Sequence, residues 1–369
     1  MSSSLLNRTE NQTSKVVAPT RTGTQRLVSL DALRGLAALL MVQQHLGVWL
    51  VDRARYAGQL RAGLMYINLA GGIAAPLFIT LAGVGVALGE QRKAEGRELW
   101  LRGVQLIMLG LGLNLMVPSW FSAGSFYVLH LLGVWLIVAP WLARLRTIAL
   151  LMVCFALLAG AVLGQSWLQT PVHLSNEMMR DTTKEGGWLR LALLEGQFPV
   201  FPWLALSCGG LWAGRVIAAR KIKQLWIGAA LCGGLAGLVR SLAWIDPQAP
   251  YHLPGRALCR TSFFPLSSLF ALGLFSICLG LLALFVWADA QGKLKVTGLV
   301  ALGRTSLSLL VFHIVVFRQG STALGLFGTM TPSLALLIIV VFLTLWVMLA
   351  RSWGRIGYRW SLEWWLRRT

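Results

Sequence analysis

Long apolar runs constrain this chain more than any other feature of its sequence. Runs of roughly 18–22 residues recur along most of its 369 residues, long enough to cross a bilayer as helices. The mean hydropathy is +0.68, and only 12% of residues are charged against 56% hydrophobic, too little polar surface to cover a soluble domain of this length. The alternating pattern of a membrane β-barrel is absent. The expected fold class is therefore all-α: a polytopic integral membrane protein with about ten transmembrane helices. The expected spans are 29–50, 67–89, 103–118, 124–142, 147–165, 199–218, 224–243, 263–287, 298–317 and 332–350. The third is the shortest, and a tilt or break is expected there.

Charge placement sets the orientation. The formal net charge is +20, which in a soluble protein would suggest nucleic acid. Here the basic residues sit in short loops, where they act as a topology signal, so no nucleic-acid partner is expected. With the N-terminus in the cytoplasm, roughly twice as many Lys and Arg fall inside as outside, which predicts that both termini are cytoplasmic. Residues 1–25 are rich in Ser, Thr and Asn and lack an apolar core. They are read as a disordered cytoplasmic tail ahead of one membrane domain over 26–369, and not as a signal peptide. The Asn7 and Asn11 triplets that match a glycosylation pattern then fall on the cytoplasmic side and are read as chance. The five cysteines form no CxxC pair, and no metal site is expected. Outer loops at 166–198 and 244–262 are long enough to serve a site. The small residues of GGIAAPLFITLAGVGVALG in the second run predict close helix packing, and most of the 17 tryptophans are read as interface anchors.

Ionisable residues inside such runs normally face the interior of the bundle. Asp31, Arg34 and His45 share the first run, RLVSLDALRGLAALLMVQQHLG. The ninth repeats the plan, with Arg304 near its inner start and His313 near its outer end. His130 lies at a similar outer depth in the fourth run, and Asn114 joins that layer. Glu195 and Gln197 lie just outside the sixth run, where two prolines interrupt the helix start before Trp203. Eleven residues of helix separate Arg34 from His45, about 16 Å. One ligand spanning both would have to be long and thin, with an anionic head and a reactive end, as an acyl-coenzyme A is. Arginine suits its phosphates, and histidine can take a proton from an attacking hydroxyl or amine. Plainer roles compete. Asp31 and Arg34 are three apart and can simply pair, and a membrane histidine such as His130 is often a polar group satisfied between helices. His173 and His252 are read as surface loop residues.

The first-run motif RLVSLDALRGLAALLMVQQH resembles the first-helix signature of the transmembrane acyltransferase superfamily. That group includes the acyltransferase-three proteins, the heparan-alpha-glucosaminide N-acetyltransferases and the YeiB-like bacterial membrane proteins. APLFITLAGVGVALG, SFYVLHLLGVWLIV, FPVFPWLALSCGGLWAGR, LGRTSLSLLVFH and the tail SLEWWLRR agree in order, so the resemblance covers nearly the whole chain from residue 26. It implies an acyl-coenzyme A-dependent acyltransferase, with acetyl-CoA or another acyl-CoA as donor substrate and a hydroxyl or amine of an outer-side sugar, glycan or lipid-linked molecule as acceptor. It also implies a bacterial cytoplasmic (inner) membrane location. The spacing of arginine and histidine in acyltransferase-three proteins matches Arg34 and His45. Animal heparan enzymes instead carry asparagine at the position of His45 and a histidine after that helix, whereas VDRARYAGQLRAG here has none. The expected assignments are His45 as base with His313 and His130 in support. Asp31, Arg34 and Arg304 are assigned to the donor, and Asn114, Glu195 and Trp203 to the acceptor. A transporter or flippase for an anionic or lipid-linked solute is the alternative, and homo-oligomerisation is left open.

Overall fold

A computed structural model describes residues 27–56, 70–90, 96–245, 258 and 260–368. The amino-terminal tail, His252, Cys259 and much of the 244–262 loop lie outside the described residues. Twelve helices organise the rest: α1 (Val28–Leu50), α2 (Ala74–Glu90), α3 (Gly96–Met116), α4 (Val128–Leu142), α5 (Thr147–Trp167), α6 (Val200–Ala218), α7 (Lys223–Ile245), α8 (Ser268–Ala290), α9 (Thr297–Arg304), α10 (Ser306–His313), α11 (Pro332–Arg355) and α12 (Leu362–Leu366). Each of the ten apolar runs holds helix. By length and composition, α3, α5, α6, α8 and α11 can cross a membrane, and α9 with α10 and its continuation to Ala323 would make a sixth as one bent span. Side chains turned outward on α5 (Ile148, Met152, Phe155, Leu163) and α11 (Leu336, Leu337, Val340, Leu345) are large and apolar. In water such belts would drive aggregation; in a bilayer they meet their own kind. Exposed Trp141, Trp167, Trp226 and Trp287 lie at or near helix ends, where interfacial anchors belong. The chain is an integral membrane protein.

Two expectations about helix shape are corrected. The third run is neither short nor broken: α3 is 21 residues long. Its first turns use the charged residues Arg97, Glu98 and Arg102, with Arg102 Nη2 donating to Glu98 one turn earlier at 3.1 Å. The break falls instead in the ninth run. At Thr305 (φ −122°, ψ 22°) the chain bends by 70° between α9 and α10. The loop at 166–198 is also more ordered than a loop need be, with a helical turn at Gly187–Arg190 leading into a widened turn at Leu191–Glu195.

α1 is the centre of the assembly and packs against α2, α8, α9, α10 and α11. Its contact with α9 is backbone on backbone. A Cβ on Gly35 would lie 1.8 Å from the Leu299 carbonyl oxygen, and one on Gly303 would lie 1.8 Å from that of Asp31. Only glycine permits this approach. The close packing expected of the second run is also observed, with Gly83 of α2 against the backbone of α6 at Ser207. The two ends of α1 are fixed separately. At its start the Ser29 N–H donates to Asp289 Oδ2 of α8 at 3.1 Å, which places a carboxylate at a helix N-terminus. At its finish the carbonyls of Trp49 and Leu50 accept from Gly328 and Met330 N–H, both at 2.8 Å.

A side chain at position 303 must drive α9 off α1. Gly303→Val is expected to lower the unfolding midpoint in detergent by more than the ~1–3 kcal/mol typical of overpacking, because backbone rather than a side-chain tip is in the way. Gly47→Ala on the same helix, where nothing lies within 4 Å of the added carbon, should leave the midpoint unchanged or raise it.

Candidate active site

The α1–α9 contact brings the charged residues of both helices together. Asp31 is buried, with 1% of its side chain exposed. Arg304 Nε donates to its Oδ2 at 3.1 Å, and Arg34 Nη1 approaches Oδ1 at 3.5 Å. Both arginines keep about a third of their surface, at 36% and 30% exposure. One buried carboxylate thus gathers two half-exposed guanidinium groups at one end of the bundle. Asp31 is turned toward the arginines, which carry the accessible charge. Arg304 also lines a cavity of about 610 Å³ with Arg351, Arg355 and Tyr358 from the last helices. The sequence reading missed Arg351 and Arg355 as neighbours of this cluster, because it treated them only as topology signals.

At the far end of α1, His45 meets His313. Their rings are nearly parallel (16°, centroids 5.2 Å apart), and His45 Nδ1 lies 2.9 Å from His313 Nε2. His313 Nδ1 lies 2.8 Å from the Leu309 carbonyl oxygen one turn back on α10. A carbonyl can only accept, so His313 Nδ1 carries the proton. In neutral His313 the other nitrogen, Nε2, is then an acceptor, and His45 Nδ1 must donate to it. The chain of bonds leaves His45 with an unprotonated Nε2. Trp49 stacks on His45 at 4.9 Å, and Trp120 stands edge-on at 5.4 Å. Trp120 is held from three sides. Arg318 Nη2 donates to the Ser119 carbonyl at 2.6 Å, Gln319 accepts from Ser119 N–H at 3.4 Å, and Asn176 Nδ2 donates to the Trp120 carbonyl at 3.2 Å.

His45, Trp49 and Trp120 border a cavity of about 420 Å³ enclosed by α1, α2, α4, α10 and the loops before α4, α6 and α8. Polar groups reach it from Gln44, Asn176 and Gln197, and Gln197 Nε2 donates to Asn176 Oδ1 at 3.0 Å. Its other edge is Ser306 and Leu307, at the break. There the amides that begin α10 have lost their own helical partners. Glu363 of the C-terminal tail supplies an acceptor: Leu307 and Ser308 N–H donate to its Oε1 at 2.6 and 3.0 Å, and Ser308 Oγ donates to Oε2 at 2.7 Å. No local signal marks this residue in the sequence, since its partners lie some fifty positions earlier.

The remaining expected residues lie apart from the cavity. His130 packs between α3 and α4 against Gly110, stacked on Phe126 at 5.4 Å, and its Nδ1 accepts from Tyr127 N–H at 3.4 Å. Asn114 Nδ2 donates to the carbonyls of Ala123 and Ser125 at 3.3 and 3.0 Å, tying down the loop that carries Trp120. Glu195 accepts from Arg190 Nε and Nη2 at 2.6 and 2.7 Å and from Thr170 Oγ1 at 2.8 Å. This forked bond holds the Arg190 guanidinium above its ordinary pKa. Trp203 is fully buried behind two cavity-lining rings, 4.7 Å from Phe198 and 6.2 Å from Phe263. Phe201 just before it leaves helical geometry (φ −97°, ψ 123°), as the proline pair predicts.

The family model of the catalytic domain of heparan-alpha-glucosaminide N-acetyltransferase matches residues 26–245. This chain belongs to that family. No curated protein matches the chain. Membership in the heparan-alpha-glucosaminide N-acetyltransferase family fits a membrane protein whose relatives are acetyltransferases. The matched segment holds Asp31, Arg34, His45, His130, Glu195 and Trp203. Arg304, His313 and Glu363 lie beyond it, so partners of both Asp31 and His45 come from the part of the chain outside the match.

Glu363→Ala strips two amides and a hydroxyl of their shared acceptor. It should cost about 1–3 kcal/mol of stability, read as a lower unfolding midpoint, while Arg368→Ala in the same tail, whose side chain is exposed over Trp364, should cost far less.

Proposed function

We propose that this protein is a membrane acyltransferase that carries an acetyl group from cytoplasmic acetyl-CoA to a hydroxyl or amine on the outer side of a bacterial inner membrane. All ten helical runs then cross the bilayer, with both termini in the cytoplasm. The observation that carries the reading is the hydrogen-bond chain from the Leu309 carbonyl through His313 to His45, which leaves His45 Nε2 free to act as a base at the edge of a largely apolar cavity. Family membership supports the reaction type.

The donor's anionic head docks at the arginine end. Arg34 and Arg304, steadied by Asp31, take phosphate oxygens, and the basic cavity beside Arg351 and Arg355 receives the nucleotide. The arm then follows α1 for about 16 Å toward His45. There the acceptor O–H or N–H gives its proton to His45 Nε2 as its heteroatom bonds to the thioester carbonyl carbon. The C–S bond breaks, and the coenzyme A thiolate takes the proton back from His45, leaving the base as it began. His313 stabilises the imidazolium that forms in between, because its Nε2 accepts the Nδ1–H bond. Asn114, Glu195 and Trp203 support the acceptor side through the loops they hold, and His130 through the wall of α4. A bent helix is also a feature of transporters. In this chain Glu363 accounts for the freed amides at the bend without a transported ion.

His45→Ala is expected to lower acetyl transfer at least 10²-fold, the span usual for loss of a general base, while acetyl-CoA still raises the unfolding midpoint by linkage. Arg34→Ala should lose most of that midpoint shift. His313→Ala should fall between wild type and His45→Ala in rate. Full transfer by His45→Ala in purified protein would remove the histidine from the mechanism.

A further inference from the structure

The cavity beside His45 is built for an acceptor of a particular kind. Its walls are Met41, Val48, Phe78, Leu132, Phe263 and Phe264, all apolar. Polar lining comes from Gln44, His45, Tyr127, Asn176, Gln197 and Ser306, with the Trp49 and Trp120 rings beside His45. Among the described residues, no Lys, Arg, Asp or Glu lines it. Two cations of the same region are engaged elsewhere. Arg190 forks onto Glu195, and Arg318 donates to the Ser119 carbonyl and lies 4.3 Å over the Phe327 ring.

These observations bear on charge and shape. A sulfate or uronate group entering the cavity would lose its water and find no guanidinium fork, at a cost of several kcal/mol. A neutral ring would lose far less. It could lie on indole surface and use the amides, with Gln197 Oε1 accepting from a ring hydroxyl while its Nε2 stays on Asn176. The apolar walls would then be covered by an alkyl or prenyl chain rather than left wet.

We propose that the acceptor is a neutral amphiphile, a compound with an uncharged sugar or polyol head and a hydrocarbon chain, and not an anionic glycan of the kind the family name describes. The head sits against Trp120 and His45, and the chain lies along Phe78, Phe263 and Phe264. A neutral glycolipid has this chemistry. The inference rests on the acyltransferase reading for the reaction but not for the binding.

The test uses full-length protein in phosphatidylcholine nanodiscs. A glucoside carrying a diazirine in its alkyl chain is photolysed, and labelled peptides are mapped by mass spectrometry. Labelling is expected on peptides holding Phe78 or Phe263–Phe264. It should be competed by octyl glucoside at least 10-fold better than by methyl glucoside, and not by glucosamine 6-sulfate. Trp120→Ala should weaken that competition. If the variant does not fold, the wild-type series decides alone. A parallel assay with radiolabelled acetyl-CoA should acetylate octyl glucoside in preference to the other two. Cavity labelling without acetylation would keep the binding inference and overturn the acyltransferase reading. Acetylation of glucosamine 6-sulfate as fast as octyl glucoside would keep the enzyme and overturn the neutral amphiphile, as would labelling that octyl glucoside does not displace. A glucosyl diacylglycerol in place of octyl glucoside should compete equally, whereas a short prenyl-phosphate-linked sugar, whose phosphate would enter the uncharged cavity, should compete poorly.

Discussion

Everything distinctive in this fold depends on how closely α1 and α9 approach. Two glycines let the helices touch along their backbones, and that contact fixes both the rotation and the height of one helix on the other. With that register set, Asp31 falls between Arg34 and Arg304, and the continuation of α9 through its bend delivers His313 to His45. The acid–base cluster and the histidine pair are therefore two ends of one packing decision. A buried carboxylate with two partners is also a device for register more than for net stability, because desolvation offsets much of the attraction. Sliding α9 by a turn would strand Asp31 without Arg304.

The bend at Thr305 is the second constraint, and it follows from the first. A straight ninth helix lying flat on α1 would carry its outer half past the cavity. Bending by 70° lets α10 take its own direction, at the cost of opening amides inside the bundle. Glu363 satisfies them, and Thr305 Oγ1 accepts from Trp346 Nε1 at 3.1 Å. The C-terminal tail is thus part of the site's support although it touches neither histidine. This also explains why a match that ends at residue 245 describes only part of the machinery.

The sequence made the helices legible because length and apolarity are local properties, and all ten runs hold helix. His45, His130 and His313 were read as one outer layer from their positions along the runs. What depth cannot give is the direction in which a side chain points around its helix. His130 faces α3, since Gly110 leaves room there and Tyr127 closes the turn by donating to the Gly110 carbonyl, so only two of the three histidines meet. The arginine–histidine spacing on α1 was visible for the same reason the helix was. The partners were not: Glu195, assigned to the acceptor, is taken up by Arg190 and Thr170, while Glu363, present only within the tail motif SLEWWLRR, caps a helix. Trp203 stands one layer behind the cavity because Phe198 and Phe263 come between, which no pattern within its own helix encodes.

The charge distribution divides the molecule's work. Cations and their carboxylate stand at one end of α1, and an aromatic chamber bordered by His45, with His313 behind it, stands at the other. A reaction that needed a charged nucleophile or a charged leaving group to wait in the chamber would work against this arrangement. One in which a neutral hydroxyl or amine loses its proton only as it attacks would work with it, because charge then appears only briefly. In the proposed reaction the positive charge would fall on the His45 imidazole, whose Nδ1–H points at His313 Nε2, beside the negative charge on the attacked carbonyl oxygen. A dry wall makes such charge costly everywhere else. The apolar lining and the histidine pair are then two halves of one selection, in which the chamber suppresses charge and the pair concentrates what little must form.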